Sequence, residues 1–93
     1  MAFKIVIKPE AEKELLKALE WYNAKNINLA SELYFEISTV LDKIEENPNL
    51  FQKRYRAFRI TFTKKFKYGI HYTLENNTIY VHAILHTSQK IPK

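Results

Sequence analysis

The second half of the chain contains a pattern that sets the pairing of its own strands. Asn76 and Asn77 separate two stretches in which apolar and polar residues alternate. Two consecutive Asn residues suit a tight β-hairpin turn, because Asn tolerates the left-handed backbone region. The flanking strands, Phe66–Leu74 and Thr78–His86, are then predicted to pair so that the numbers of facing residues add up to 153.

This register predicts one apolar and one polar face. The predicted apolar pairs are Leu74–Ile79, Tyr72–Val81, Ile70–Ala83 and Tyr68–Leu85. On the polar face, His71 would oppose His82 and Lys67 would oppose His86, so all three histidines of the protein would share one side of the sheet. Ile84 would lie on that side as well.

The remaining segments predict one more strand before two helices and another after them. Ala2–Ile7 alternates as a strand does, and Pro9 is well placed to begin a helix that ends near Lys25. A second apolar stripe with a period close to 3.6 begins around Asn28 or Leu29 and ends before Pro48. The helical stripes, and Trp21 near the end of the first helix, are interpreted as packing residues. The segment 56–63 alternates again and predicts a strand.

These elements predict a two-layer α+β domain of order β-α-α-β-β-β, in which a helical hairpin covers one face of an antiparallel sheet. A single domain over residues 1–93 is expected, since a chain of this length with 46% hydrophobic residues supports one modest core. The uncovered face is predicted to show Arg59, Thr61, Lys65, Lys67, His71, Tyr80, Ile84, His82 and His86.

Composition excludes several classes of function. Cys is absent, so disulfide and thiol chemistry are excluded. No segment approaches the roughly 20 apolar residues of a membrane span, and the N-terminus shows no secretory signal, so a cytoplasmic protein without membrane association is expected. No cofactor is expected. A zinc site at His71, His82 and His86 is disfavoured, because zinc sites usually include Cys or carboxylate ligands.

Charge is divided unevenly between the two halves of the chain. Residues 1–50 hold six Lys and nine acids, a net charge of −3, whereas residues 51–93 hold nine Lys or Arg and one acid, a net charge of +8. A solvated basic surface would explain this division. The alternative is a site for an anionic partner, either a nucleic acid or an acidic peptide.

Several short motifs together resemble the RelE/ParE superfamily of bacterial toxins from type II toxin–antitoxin pairs. The resemblance covers nearly the whole chain, and the sequence is closer to the ParE, plasmid-stabilisation branch. The matching segments are Glu20-Trp21-Tyr22, Glu46-Asn47-Pro48, Tyr55-Arg56 with Arg59, Phe66-Lys67-Tyr68-Gly69-Ile70-His71-Tyr72 and Val81-His82-Ala83-Ile84-Leu85-His86.

The resemblance implies a growth-inhibiting toxin that is neutralised by a cognate antitoxin. ParE-like members inhibit DNA gyrase, and RelE-like members cut messenger RNA on the ribosome. A third alternative is a protein with the toxin fold that has lost activity and only binds. We interpret the chain as a ParE-like toxin that acts by binding, through its basic sheet face and its C-terminal segment.

Metal-independent RNA cleavage requires a base for the 2′-hydroxyl, cations for the phosphate and an acid for the leaving oxygen. The resemblance to RelE assigns these roles to Arg59, Lys67, His71 and His86 if the chain is an endoribonuclease. Gln89 falls where many relatives have Arg, which departs from that pattern. The wider predicted binding set is Arg56, Arg59, Lys65, Lys67, Tyr80, His82, His86 and Gln89, with no metal ligands.

Histidines and aromatic residues leave further alternatives open. Two facing imidazoles, His71 and His82, could form an acid/base pair or a polar pair that only packs. Tyr55 and Tyr80 could stack on bases, whereas Tyr68 and Tyr72 are assigned to the core along with other residues of the apolar face.

Overall fold

The computed structural model describes residues 3–88, which form two helices and one five-stranded sheet. The elements are β1 (Lys4–Ile7), α1 (Pro9–Lys25), α2 (Ile27–Glu46), β2 (Lys53–Tyr55), β3 (Phe58–Phe62), β4 (Tyr68–Glu75) and β5 (Thr78–His86). The strands lie in the order β1-β5-β4-β3-β2. Neither helix of this described part of the chain is long and apolar enough to cross a membrane.

The sheet is mixed, whereas a fully antiparallel sheet was predicted. β1 runs parallel to β5, while the other neighbouring strands are antiparallel. The sheet also has an additional edge strand, β2, and the strand predicted to begin at Arg56 begins at Phe58. Arg56 and Ala57 form the tight turn between β2 and β3, in which Arg56 has a φ of 49°.

Local sequence signals account for the ends of both helices. α1 begins at Pro9, where the missing N–H costs no helical hydrogen bond. Asn26 alone separates the helices, and its side-chain oxygen accepts a hydrogen bond from the backbone N–H of Asn28 at 2.9 Å. α2 therefore begins at Ile27, slightly earlier than predicted, and it ends shortly before Pro48.

The helices cover one face of the sheet, which we call the helix-covered face; the opposite face is called the second face. The least exposed residues of the core are Ala11, Leu33, Ile37, Ile44, Ile70, Tyr72, Ile79, Val81 and Ile84, each at most 1% exposed. Tyr68 and Tyr72 belong to this core, as predicted. The Tyr72 hydroxyl donates a hydrogen bond to the carbonyl of Pro48 at 2.7 Å, which satisfies it in the apolar interior.

Near its turn, the β4–β5 hairpin has the predicted register. Asn76 adopts a φ of 56°, the left-handed conformation that the two-residue turn requires. The predicted pairs Leu74–Ile79 and Tyr72–Val81 are confirmed. The Asn-Asn dipeptide therefore does fix the first four pairs of the hairpin.

Beyond these pairs, a β-bulge changes the register. Tyr72 pairs with Val81, but His71 pairs with Ala83, so His82 is an extra residue in β5. The remaining predicted pairs, Ile70–Ala83, Tyr68–Leu85, His71–His82 and Lys67–His86, are therefore wrong. The prediction assumed an uninterrupted hairpin, and one inserted residue exchanges the two faces of the strand beyond it.

The bulge reverses the predicted directions of the last residues of β5. Ile84 pairs with Ile70 and His86 pairs with Tyr68, so both lie on the helix-covered face. The prediction that Ile84 and His86 lie on the uncovered face is wrong, and so is the prediction that all three histidines share one side. Ala83 and Leu85, which were predicted to face the helices, lie on the second face.

β3 is also turned over relative to the prediction. Arg59 pairs with Tyr72 and Thr61 pairs with Ile70, which places Arg59 and Thr61 on the helix-covered face. The alternation of β3 was recognised correctly, but alternation alone does not say which set of residues faces the helices. The residues of β3 on the second face are Phe58, Ile60 and Phe62.

Candidate functional site

The second face is richer in aromatic and apolar residues than the sequence predicted. It carries Tyr55, Phe58, Ile60, Phe62, His71, Thr73, Tyr80, His82, Ala83 and Leu85. Gly69 makes room among them: a Cβ atom there would lie 3.0 Å from Phe62 Cε1 and 3.2 Å from Ile60 Cγ2. The lack of a side chain at Gly69 lets the Phe62 ring lie over β4, where it remains 45% exposed.

Four rings cross the second face from β2 to β5, and we call them the ring row: Tyr55, Phe58, His82 and Tyr80. Tyr55 stacks on Phe58 with the centroids 4.9 Å apart and the planes 10° apart. Phe58 meets His82 edge to face at 4.9 Å, and His82 lies 6.5 Å from Tyr80. Tyr80 and His82 share this face because they are two residues apart in β5, and the β-bulge changes the facing only of the residues beyond His82.

Hydrogen bonds from β4 hold two members of the ring row. The Tyr55 hydroxyl lies 3.1 Å from Nδ1 of His71, and Oγ1 of Thr73 lies 2.8 Å from Nε2 of His82. Both anchoring side chains are largely buried between the strands. The rings of Tyr55 and His82 are therefore held in place before any partner arrives.

Two cations lie against rings of this face, the half-buried Tyr80 and the exposed Phe62. The Lys8 ammonium is 5.4 Å from the centroid of the Tyr80 ring, and the Arg54 guanidinium is 5.9 Å from the centroid of Phe62. Such cation–π contacts hold positive charge over an aromatic surface. The second face therefore combines aromatic area with cations at its β1 and β2 edges.

Burial disfavours protonation of both histidines on the second face. It lowers the pKa of His71, which is 3% exposed. Burial also lowers the pKa of His82, helped by the nearby charge of Lys8 and opposed by Glu75. Because both values lie below the ordinary 6.5 of histidine, both imidazoles are mainly neutral at pH 7.

Arg59 does not reach the second face, although it was predicted to lie there. Its guanidinium donates to the carbonyl of Phe51 at 2.6 Å and to Oδ1 of Asn49 at 3.3 Å. These bonds attach the segment that follows α2 to the middle of the sheet. Arg59 therefore links the loop after α2 to β3 and does not contribute to the second face.

His86 lies in a cleft beside α1, away from the other two histidines. Its ring meets Tyr68 edge to face at 5.3 Å, and its Nδ1 lies 2.9 Å from Oγ of Ser88. The cleft has a volume of about 620 Å³. At its side, a carboxylate oxygen of Glu14 accepts a hydrogen bond from the backbone N–H of Ile84 at 2.8 Å. Burial raises the pKa of Glu14, although that hydrogen bond opposes the shift.

The other predicted cations are spread over the turns. Arg56 and Lys67 are exposed and have positive φ values, 49° and 59°. Lys65 forms an ion pair with Glu32 of α2. Gln89 lies outside the described residues. Within residues 3–88, no group of three His, Asp or Glu side chains is placed to hold a metal ion.

The sequence prediction missed several residues that shape the second face. Phe58 and Phe62 were not among the residues predicted for this face, and Lys8 and Arg54 were not considered. Trp21 was interpreted as a packing residue, but it is 57% exposed, with the Lys25 ammonium 4.3 Å from the centroid of its ring.

Comparisons with known proteins agree on the family and on the fold. The model of the ParE toxin family, the toxin of the parDE type II toxin–antitoxin system, matches residues 5–91. A solved structure from the chromosomal ParDE toxin–antitoxin system of P. aeruginosa has the same fold, with a TM-score of 0.79 and 11% identity over 90% of this chain and 95% of that one. No curated protein sequence matches the chain. The chain belongs to the ParE toxin family, and it is the toxin component of a type II toxin–antitoxin system with a cognate antitoxin as its partner.

Proposed function

We propose that this toxin inhibits its target by binding it rather than by cutting RNA, and that the target is DNA gyrase, as for other ParE-like toxins. Gyrase acts on the bacterial chromosome, so the proposed place of action is the cytoplasm. The whole chain, residues 1–93, would act as one toxin domain. The antitoxin would neutralise it by covering the surface that contacts gyrase.

The observation that supports binding is the separation of the four residues that an endoribonuclease would need. His71 lies on the second face, whereas Arg59 and His86 lie on the helix-covered face. Lys67 lies in the turn before β4. General acid–base catalysis requires donor and acceptor groups within hydrogen-bonding reach of one phosphodiester. Groups on opposite faces of a sheet do not meet that requirement.

The contacts of Arg59 and His71 also disfavour a role in RNA cleavage. The Arg59 guanidinium is bonded to the Phe51 carbonyl and to Asn49, so phosphate binding would compete with the fold. His71 is 3% exposed and shares its Nδ1 with the Tyr55 hydroxyl. A buried imidazole held in this way is poorly placed to exchange protons with a polymer.

The proposed contact surface consists of the second face and the exposed cations beside it. Arg56, Lys67, Tyr80 and His82 are the predicted binding residues that fit this surface. Lys65, which is paired with Glu32, is assigned to stabilising the fold. An acidic segment of the antitoxin would compete for the same cations, which would account for neutralisation by occlusion.

Expression of the toxin without its antitoxin tests the proposed target. We expect growth arrest with filamentation and a DNA-damage response, and we expect the purified toxin to inhibit supercoiling by gyrase. Messages cut at codon boundaries in arrested cells, with normal supercoiling, would instead indicate a ribosome-dependent endoribonuclease. Normal growth, with the toxin present at wild-type levels, would indicate a protein that has lost activity.

Charge substitutions test the proposed surface. The double variant Arg56→Gln, Lys67→Gln should weaken inhibition of gyrase severalfold, up to about thirtyfold, because an exposed ion pair contributes up to about 1 kcal/mol. Lys43→Gln on α2 removes an exposed cation from the opposite side of the molecule and should leave inhibition unchanged. Equal inhibition by the double variant and by Lys43→Gln would exclude this surface.

A further inference from the structure

We infer that the ring row is a platform for single-stranded nucleic acid, on which unpaired bases stack while neighbouring cations meet the phosphates. This activity is separate from the inhibition of gyrase and does not depend on it. It requires binding only, so it needs none of the groups that RNA cleavage would need.

The geometry of the ring row fits a chain of unstacked bases. Its four rings belong to three strands of the sheet and also pass over β4, so the row runs across the strands. With strands about 4.8 Å apart, it extends roughly 15 Å. Sheet-borne aromatic rings bind single strands in this way, since every base has a flat face to stack on.

The rings are held in place before binding. Tyr55 is fixed by its bond to His71 and by its stacking on Phe58, and His82 is fixed by Thr73. Rings that are already ordered lose little conformational freedom when a base stacks on them. The hydrogen bonds Tyr55–His71 and Thr73–His82 therefore favour the stacking of bases on these rings, in addition to stabilising the sheet.

The charge around the ring row fits a polyanion. Lys8 lies over Tyr80 at the β1 edge, and Arg54 lies over Phe62 near the β2 edge. Lys8 also lies close enough to His82 to lower its pKa, and the one acid of residues 51–93, Glu75, opposes that effect. A duplex would meet the same cations but would keep its bases stacked inside, so the rings specifically favour a single strand.

Binding is measured with the purified full-length toxin and a fluorescent oligothymidylate or oligouridylate of about 12 nucleotides, a length typical of such sites. Tyr80→Leu keeps an apolar side chain but removes the ring, and it should weaken binding about tenfold. Tyr80→Trp restores a ring and should restore affinity. Tyr34→Leu removes a ring that is 57% exposed on α2, and it should leave affinity unchanged. DNA and RNA probes should respond alike.

The salt dependence of binding tests the phosphate contacts independently. The slope of log K against log salt should fall by about 0.7 for Lys8→Gln, the value for one phosphate contact of a single strand. Lys43→Gln, on α2, is the matched control and should leave the slope unchanged. An unchanged slope for Lys8→Gln would overturn the assigned role of Lys8 in the platform.

Three results would overturn the proposal as a whole. The first is equal affinity for the single strand and for its duplex at the same salt concentration. The second is equal affinity of Tyr80→Leu and Tyr34→Leu for the probe. The third is loss of antitoxin or gyrase binding by Tyr80→Leu with unchanged affinity for the oligonucleotide, which would make this face a protein-docking surface. The oligonucleotide-binding assay contains no gyrase, so the outcome of this assay is independent of the outcome of the supercoiling assay.

Discussion

The two faces of the sheet are built from different kinds of side chains. On the helix-covered face, aliphatic residues from β4, β5 and α2 pack with Tyr72, and the innermost of them are fully buried. On the second face, three aromatic rings and two histidines lie side by side, and the ring of Phe62 is 45% exposed. The first arrangement is typical of a core, and the second has partly exposed rings above a buried layer that includes Ile60, His71 and Leu85.

Polar groups are also used differently on the two faces. On the helix-covered face, Tyr72 and Arg59 bond to main-chain carbonyls of the loop after α2 and so attach that loop to the sheet. On the second face, the bonds join side chains to side chains, as in the pairs Tyr55–His71 and Thr73–His82, and they orient rings. The helix-covered face therefore maintains the fold, and the second face orients rings toward solvent.

Truncations on the two faces test this division most strongly. Ile79→Ala removes a side chain that is 0% exposed in the helix-covered core, and it should lower the free energy of unfolding by about 3 kcal/mol. Phe62→Ala removes a larger but 45% exposed side chain and should cost only about 1 kcal/mol. Urea denaturation of both variants measures the difference. Equal losses would mean that the second face is a core as well.

Removal of single hydroxyl groups should have a smaller effect that also differs between the two faces. Tyr72→Phe leaves the Pro48 carbonyl without its donor inside the core, and it should cost about 1 to 2 kcal/mol. Tyr55→Phe breaks the bond to His71, but Tyr55 is only half-buried, so water can replace its hydroxyl at a smaller cost. Thermal unfolding at pH 7 compares the two. A larger loss for Tyr55→Phe would contradict a stabilising role confined to the helix-covered face.

The helices and the turn end of the helix-covered face could be predicted from the sequence, for a physical reason. Helical stripes with a period of 3.6 and the Asn76-Asn77 turn are local signals, and they specified α1, α2 and the first pairs of the hairpin. Pro9 and Pro48 marked helix boundaries through the missing N–H and the restricted preceding residue. The buried face of β4 followed from that turn together with the alternation of apolar and polar residues along the strand.

On the second face, His71, Tyr80 and His82 were placed correctly, but the rest could not be predicted, because it depends on non-local choices. The bulge at His82 follows from how β5 fits against its neighbours, and the sequence carries no local mark of it. The facing of β3 depends on pairing with β4, and its alternation is compatible with either direction. These two features decided where His86 and Arg59 lie, and the predicted catalytic set depended on both.

The two faces should also differ in how their ionisable residues make the free energy of unfolding depend on pH. This is the smallest of the expected effects. Burial lowers the pKa of His71 and His82 below 6.5, so the unfolded chain takes up protons before the folded one does as the pH falls. Their contribution to stability is therefore present above pH 6.5 and decreases as the pH falls below it. On the helix-covered side, burial raises the pKa of Glu14 above 4.5, so its contribution has the opposite sign and decreases as the pH rises from 4.5 through the raised value.

Unfolding free energies measured by urea denaturation between pH 5 and pH 7.5 separate these contributions. The charged groups near His82 are Lys8 and Glu75. The variant His71→Gln, His82→Gln should lose most of the decrease in stability below pH 6.5, whatever its stability at pH 7.5. Glu14→Gln can still accept the hydrogen bond from Ile84, and it should make the decrease below pH 6.5 at least as steep as in the wild type, because it removes the opposing carboxyl. A histidine variant with the pH dependence of the wild type would mean that these imidazoles are hydrated in the folded protein. In that case the second face would be looser than the contacts among its rings imply.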